Sequence, residues 1–298
     1  MFTNNTSLII PTRERIDYLK RFFSSLEDLA DFFNEILIID SSSDEMHNEI
    51  IKFFLNYDNL KVIKCEPSTS IQRNVGIKNY KKTNKFLMFC DDDIIFEKGS
   101  ILNMNNFIIS NPNNIGYGFN LIENNNLSFI DKIKQNNFLE KKGYYNRDPG
   151  IVCENGWHTK ICNVKKNTYT MWLSAQACIY RTEIIKDKLF DTKLGKYSYL
   201  EDLFISHELS KEGNLIISAE SKYKHPNFIE RKNFNFGVQE VVNRYKFVKK
   251  NNLNLVKFFI TIFFKSMLVF TKIITGRFNF IPKFLGNLYG ILLCILKN

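Results

Sequence analysis

The stretch KFLMFCDDDIIFEKG, Lys85 to Gly99, runs from five apolar residues straight into three consecutive aspartates. A short unbroken apolar run closed by turn-forming residues reads as a strand buried on both faces. Adjacent carboxylates repel, and each raises the pKa of its neighbours unless a cation sits among them. A divalent metal is the simplest candidate for that cation. Taken alone, the piece reads more readily as an acidic turn open to water, so its neighbours have to decide.

Outward from it lie three similar runs: SLIIP (Ser7 to Pro11), EILIID (Glu35 to Asp40) and LKVIK (Leu60 to Lys64). The segments between them show helical spacing, as in Tyr18, Phe22, Leu26 and Leu29. Short apolar strands alternating with helices predict an α/β domain around a parallel sheet covered on both faces. Ligands of such sheets bind beyond the carboxyl ends of the strands. Asp40 closes one strand and Asp91, Asp92 and Asp93 close another, so one sheet edge gathers several oxygen ligands. Ser41, Ser42 and Ser43 add hydroxyls there, although Ser and Asp also favour turns and helix caps.

Beyond residue 112 the pattern changes. NIGYGFNLI reads as a strand, SFIDKIKQNNFLEKK as a helix, and Gly143 to Lys166 as a long irregular loop expected to cover substrate. YLEDLFISHELSKEG has helical spacing, with Gly213 suited to the position after the helix end. Glu201 and Asp202 fall in its first turn, where the helix macrodipole favours carboxylates. A stabilising helix start and a catalytic acid pair are both consistent with that spacing.

The chain has 298 residues, 44% of them hydrophobic, which excludes a mainly disordered protein and allows a large core. Its net charge of +10 is not evenly spread: residues 241–298 carry ten Lys or Arg and no Asp or Glu. These cations sit in the most apolar part of the chain, which suits an anionic lipid surface better than a nucleic-acid duplex. No nucleic-acid partner is expected. The six cysteines show no CxxC pair and no zinc spacing, and read as reduced; Cys153 and Cys162 flank His158 without forming a recognised metal motif. MFTNNTSLII carries no signal-peptide pattern, so a cytoplasmic location is expected.

In residues 254–275, Asn254, Lys257, Thr261, Lys265, Lys272 and Thr275 fall in a polar stripe about 80° wide at about 100° per residue. Almost everything else there is apolar, and Lys265 interrupts the run that a spanning helix would need. Such a helix could be buried, lie in the bilayer interface with snorkelling lysines, or join two copies of the chain. The Gly286 and Gly290 spacing in the next segment allows a close helix contact. The expected division is a catalytic domain over 1–240 and a basic helical extension over 241–298, serving peripheral attachment to the inner face of the cell membrane or homo-oligomer contact.

Six pieces in order, SLIIPTRER, ILIIDSSSDE, SIQRNVGI, FLMFCDDDI, LSAQACIYRTEII and YLEDLFISHELSKEG, resemble the family 2 glycosyltransferases over residues 6 to 225. The resemblance implies the GT-A fold, a Rossmann-like mixed α/β sheet flanked by helices, and an inverting transfer from a nucleotide-diphospho-sugar, with a UDP-sugar favoured, to a glycan or lipid-linked acceptor. It implies donor binding by Pro11, Thr12, Asp40, Arg73, Asn74, Asp91 and Asp92. It further implies a divalent metal, Mn²⁺ or Mg²⁺, held by Asp91 and Asp93, with His225 where some GT-A enzymes place a third ligand. Asp202 matches the general base, and Glu201, Trp172 and Gln176 fall where acceptor or sugar is met. The sequence departs from the family pattern at Ser41, which follows Asp40 directly, and at Ser174-Ala175-Gln176, where glycines are usual. A sugar-1-phosphate nucleotidyltransferase would need a glycine-rich loop after the first strand, and PTRERIDYL has none. A non-catalytic membrane-binding module of the same fold is the other alternative.

Overall fold

The computed structural model describes residues 3–26, 32–123, 137–195, 197–225 and 230–296. The chain forms two compact units, Met1–Asn124 with Ile161–Asn227, and Asn125–Lys160 with Phe228–Asn298.

The first unit opens with β1 (Thr6–Thr12), α1 (Ile16–Leu26), β2 (Glu35–Asp40), α2 (Asp44–Phe53), β3 (Leu60–Lys64), α3 (Thr69–Asn79) and β4 (Phe86–Cys90). These strands pair in the order β3-β2-β1-β4, all parallel. β1, β2 and β4 are buried along their whole length, as their unbroken Ile, Leu and Phe content requires. The chain winds one way from β1 to β3 and returns to the other side for β4, so the switch point lies between the ends of β1 and β4.

The unit continues with β5 (Ile95–Phe96), α4 (Ser100–Ser110) and β6 (Gly116–Leu121). The chain then contributes α5 (Asn137–Lys141) to the second unit and returns as β7 (Thr168–Thr170), β8 (Ala177–Arg181), α6 (Thr182–Ile185), α7 (Glu201–Leu209) and β9 (Leu215–Lys224). β8 is antiparallel to both β4 and β6, so the nine-stranded sheet is mixed where the first hundred residues predicted a parallel one. Most of the helix expected in SFIDKIKQNNFLEKK lies outside the described residues, apart from α5 at its end.

The second unit holds α8 (Phe234–Lys250), α9 (Leu255–Ile274) and α10 (Ile281–Ile295). Val241, Tyr245, Val248, Phe258, Ile262 and Cys294 form its own buried core. The compact unit thus starts before residue 241 and also takes in the 125–160 segment. The physical reason is packing: Trp157 stacks on Phe258 with ring centroids 6.2 Å apart, and Asn155 donates to Thr261 at 3.0 Å. The segment Gly143 to Lys160, expected as a substrate cover, is committed to these helices and folded on itself, with Cys153 N–H donating to Trp157 O at 2.7 Å. None of the six cysteines forms a disulfide, and half-buried His158 lies with its Nδ1 3.1 Å from Arg244.

Gly286 and Gly290 are used inside the chain. A Cβ on Gly286 would lie 2.2 Å from the Phe234 carbonyl oxygen, and one on Gly237 would lie 2.4 Å from that of Lys283, so α8 and α10 touch backbone to backbone.

Candidate active site

The β1–β2 register sets Thr12 opposite Asp40 at the carboxyl edge of the sheet. Asp40 is fully buried; one of its oxygens accepts from Ser42 N–H at 2.9 Å and from the Ser42 hydroxyl, and the other lies 2.7 Å from His47 Nδ1. Gln72, from α3, donates to both Thr12 O and Ile39 O at 2.8 Å and clamps the two strand ends together. Pro11 lies inside the same buried strand.

The three aspartates after β4 have different sets of partners, with Arg15 shared by two of them. Asp91 accepts from Arg73 at 2.8 Å. Asp92 accepts from the Thr12 hydroxyl at 2.6 Å and lies 3.3 Å from Arg15. Asp93 lies 3.0 Å from Arg15 and 3.2 Å from His225 Nε2. The antiparallel pairing of Ile95 with Lys224 brings His225 to that place, one residue past β9. Arg15 was not visible as a site residue in PTRER; its signal is a cation one loop after the strand whose end faces the aspartates.

These partners set the protonation behaviour. Burial raises Asp91, opposed by Arg73, and lifts the more enclosed Asp92 to about 7. Burial also acts on Asp93, but His225 and Arg15 outweigh it and hold that carboxyl below its ordinary value. The bond to Asp93 in turn raises His225.

Arg73 connects these acids to the later pair. It is 2% exposed, and its guanidinium spans from Asp91 to Glu201. It reaches this place because α3 lies close on β1 one turn further on, where a Cβ on Gly76 would fall 2.5 Å from Ile9. Glu201 is presented by an unusual loop in which Ser198 and Leu200 hold φ of 50° and 78°. Left-handed backbone at non-glycine residues costs on the order of 1–3 kcal/mol each and persists where surroundings enforce it. Here the Ser198 hydroxyl bonds to that of Ser68 at 3.1 Å and pins the loop to the start of α3. Burial raises Glu201 to about 8 against the pull of Arg73.

Asp202 is differently placed. Its Oδ1 accepts the Leu203 N–H at 2.8 Å, and it forms no ion pair with Arg73. Burial raises its pKa, with Arg73 and the backbone N–H groups of Leu203 and Ala175 opposing. Gln176 sits beside Asp91, whose N–H donates to its carbonyl at 3.0 Å, while its side-chain oxygen accepts from Tyr223 at 3.2 Å. Trp172 is buried. Asn74 has a structural engagement, with its amide donating to Phe190 O at 2.9 Å and accepting Phe190 N–H at 2.8 Å.

Among the described residues no cluster of three or more His, Cys, Asp or Glu side chains is arranged to hold a metal. Asp93 and His225 nevertheless set a carboxylate oxygen and an imidazole nitrogen side by side. Hard divalent cations at phosphoryl sites commonly take one or two protein ligands and complete their shell with substrate phosphates and water, so these residues fit Mn²⁺ or Mg²⁺. A separate cavity of about 490 Å³ opens at the opposite ends of the strands, around Asn34, Tyr57 and Asn59. Its lining holds one carboxylate, Asp58, and no cation.

The sequence pattern of glycosyl transferase family 2 matches residues 7–185, more than half of the chain. This protein belongs to glycosyl transferase family 2. The family match favours sugar transfer over the nucleotidyltransferase reading, and the protein is a glycosyltransferase acting on a nucleotide-sugar. No curated protein matches the sequence. Among solved structures, S. aureus TarS 1-349 in complex with UDP-GlcNAc superposes with a TM-score of 0.54 at 16% identity, covering 85% of this chain and 68% of that one. The same TarS fragment solved as TarS 1-349 alone gives 0.52 at 18% identity, covering 86% and 70%. GalNAc-T7 with UDP, GalNAc and Mn²⁺ gives 0.56 at 13% identity, covering 86% and 56%. At such identities the likeness establishes the shared GT-A fold of the family.

Proposed function

We propose that this family member transfers a sugar from a UDP-sugar to a hydroxyl of a glycan or lipid-linked acceptor, with inversion at the anomeric carbon and with help from Mn²⁺ or Mg²⁺. The observation that carries the reading is the Arg73 bridge, which joins the acids after β4 to the acid pair opening α7 in one buried ion network. A leaving-group side and an acceptor side thereby share one edge of the sheet.

Pro11, Thr12 and Asp40 line the donor end, where the nucleoside is held, and Asp91 and Asp92 orient ribose and diphosphate. Asp93 and His225 would hold the metal. Bound there, the ion offsets the negative charge that builds on a departing diphosphate. Glu201 is tied to Arg73, which leaves Asp202 as the member of the pair able to accept the proton of the acceptor hydroxyl. Its burial-raised pKa makes it a stronger proton acceptor than an exposed aspartate. Trp172 and Gln176, just before β8, stand on the acceptor side. Attack from the face opposite the diphosphate inverts the anomeric centre.

The test is UDP release from a panel of UDP-sugars with Mn²⁺, combined with two substitutions. Asp202→Asn is expected to retain UDP binding by calorimetry and lose about 10²- to 10⁴-fold in turnover. Normal turnover would reassign the base. Asp93→Ala is expected to abolish the part of UDP binding that EDTA removes from the unaltered protein. If EDTA has the same effect on both proteins, the metal assignment fails.

A further inference from the structure

The helices α9 and α10 are built with the polarity of a water-soluble helix pair reversed. Lys257, Thr261, Lys265 and Lys272 of the α9 polar stripe are turned onto their own unit, whereas Asn254 and Thr275 at its two ends are exposed. Lys257 donates to Lys142 O at 2.6 Å and pairs with Glu154, Thr261 accepts from Asn155, and Lys272 pairs with Glu230 at 2.9 Å. Lys265 stands 4.7 Å over the Trp157 ring. Phe258, Ile262, Ser266 and Val269 fill the adjoining buried side.

What α9 leaves outside is mainly apolar, with Thr271 the exposed polar residue within it. Val256, Ile260, Phe263, Phe264, Phe270 and Ile274 are 40–69% exposed and fall in an arc about 120° wide. α10 repeats the arrangement: Ile281, Leu285, Leu288, Leu292 and Ile295 are 41–56% exposed in an arc about 80° wide. Its other side, with Gly286, Asn287, Gly290 and Cys294, is buried. Lone exposed apolar residues are ordinary, whereas two adjacent helices with largely apolar outer faces mark a contact surface.

Charge selects the occupant. Residues 125–160 and 228–298 hold eighteen Lys and Arg against six Asp and Glu, net +12, whereas the catalytic unit nets −2. A second copy would bring up another unit of net charge +12, and like charge opposes that association. A bilayer rich in anionic lipid offers an apolar interior together with a negative surface.

We propose that α9 and α10 seat the second unit on an anionic membrane, with their outer faces immersed at the headgroup–acyl boundary and the cationic unit against the lipid phosphates. The 18-residue stretch Phe278–Ile295 is apolar and long enough to cross a bilayer by length and composition, with 28% of it buried. It lies in the interface plane instead, because one side of α10 is committed to α8 through the Gly286 contact and the Lys283–Glu240 ion pair at 3.0 Å. This inference does not depend on the donor, metal or acceptor proposed above.

The test is flotation of the full chain with phosphatidylcholine vesicles made with or without phosphatidylglycerol. Binding is expected to the anionic vesicles, weakening as salt rises. Phe264→Glu and Leu292→Glu, on separate helices, are each expected to lower vesicle binding about tenfold or more. Leu55→Glu, at a 74% exposed position of the catalytic unit, serves as control and leaves it unchanged. Melting curves without lipid establish that both variants fold. Three results would overturn the proposal: no binding to anionic vesicles by the unaltered chain, unchanged flotation of folded variants, or a change of oligomeric state or melting temperature in the variants without a change in flotation. The last would assign the faces to a second copy or to the catalytic unit.

Discussion

Arg73 is the residue on which the site's electrostatics turn. Burial works against its charge, yet Glu201 and Asp91 hold its pKa above the ordinary value. The arrangement resembles a buried ion triad, in which removing one member strands the others in low dielectric. Arg73→Gln leaves Glu201 and Asp91 without their cation, and a loss of about 3–5 kcal/mol at neutral pH is expected. Its pH dependence has a definite sign. Without the arginine, the folded protein holds these carboxyls protonated at pH values where the unfolded chain has already released them, so the folded state binds more protons and stability falls as pH rises. Glu201 already titrates at about 8 with Arg73 present and higher without it, so its part of the deficit relative to the unaltered protein should develop as pH rises through and above that value. Urea unfolding across that range measures it. A deficit that does not vary with pH would mean the loss is one of packing, with Phe190, whose ring lies 5.5 Å beneath the guanidinium, as the partner concerned.

At the scale of elements, the close contact of α8 with α10 depends on the absence of side chains. Gly286→Ala places a methyl 2.2 Å from a backbone carbonyl that cannot rotate away. The helices must separate, at an expected cost of about 1–3 kcal/mol. Gly99→Ala is the useful contrast, since nothing lies within 4 Å of the added carbon and only the strain of φ +79° applies. Differential scanning calorimetry of both variants separates contact from backbone strain, and a smaller effect at Gly286 than at Gly99 would contradict the packing account. The same contact shows what the sequence could and could not convey. Strands β1, β2 and β4 were readable because burial on both faces imposes apolar runs, and α7 because its spacing is local, although it ends at Leu209 with Ser210 as its cap, short of Gly213. The Gly286 and Gly290 pair was visible as a spacing, but its partner helix was not, since any small-residue face satisfies that pattern. Arg15 and Gln72 were hidden for a related reason: their roles come from bonds to residues 77 and 60 positions away, and no local period records such pairs.

At the scale of the molecule, a boundary drawn from composition at residue 240 misses that the second unit takes its core from two parts of the chain. Truncation near residue 250 would remove α9 and α10 and leave Trp157 without Phe258, and Asn155 without Thr261. Such a product is expected to aggregate even with the catalytic unit intact, through the apolar surface of the stranded segment. A different excision respects the fold. Where the 125–160 segment leaves and rejoins the first unit, Glu123 N–H donates to the Asn163 side chain at 3.2 Å, the Asn163 amide donates back to Glu123 O at 2.9 Å, and Asn163 N–H bonds to Leu121 O at 2.8 Å. Glu123 and Asn163 are held side by side within the nine-stranded sheet's own unit, so a short glycine and serine linker suffices in place of residues 124–160. A chain carrying that join and ending at Asn227 keeps β1 to β9, Arg73, both acid groups and His225. It is expected to unfold in one cooperative transition and to bind UDP with the affinity of the full chain. Calorimetry and denaturant titration provide the check. A joined fragment that is unfolded would show that the catalytic unit requires the helical one for its stability, and the division into two independently folding units would be wrong.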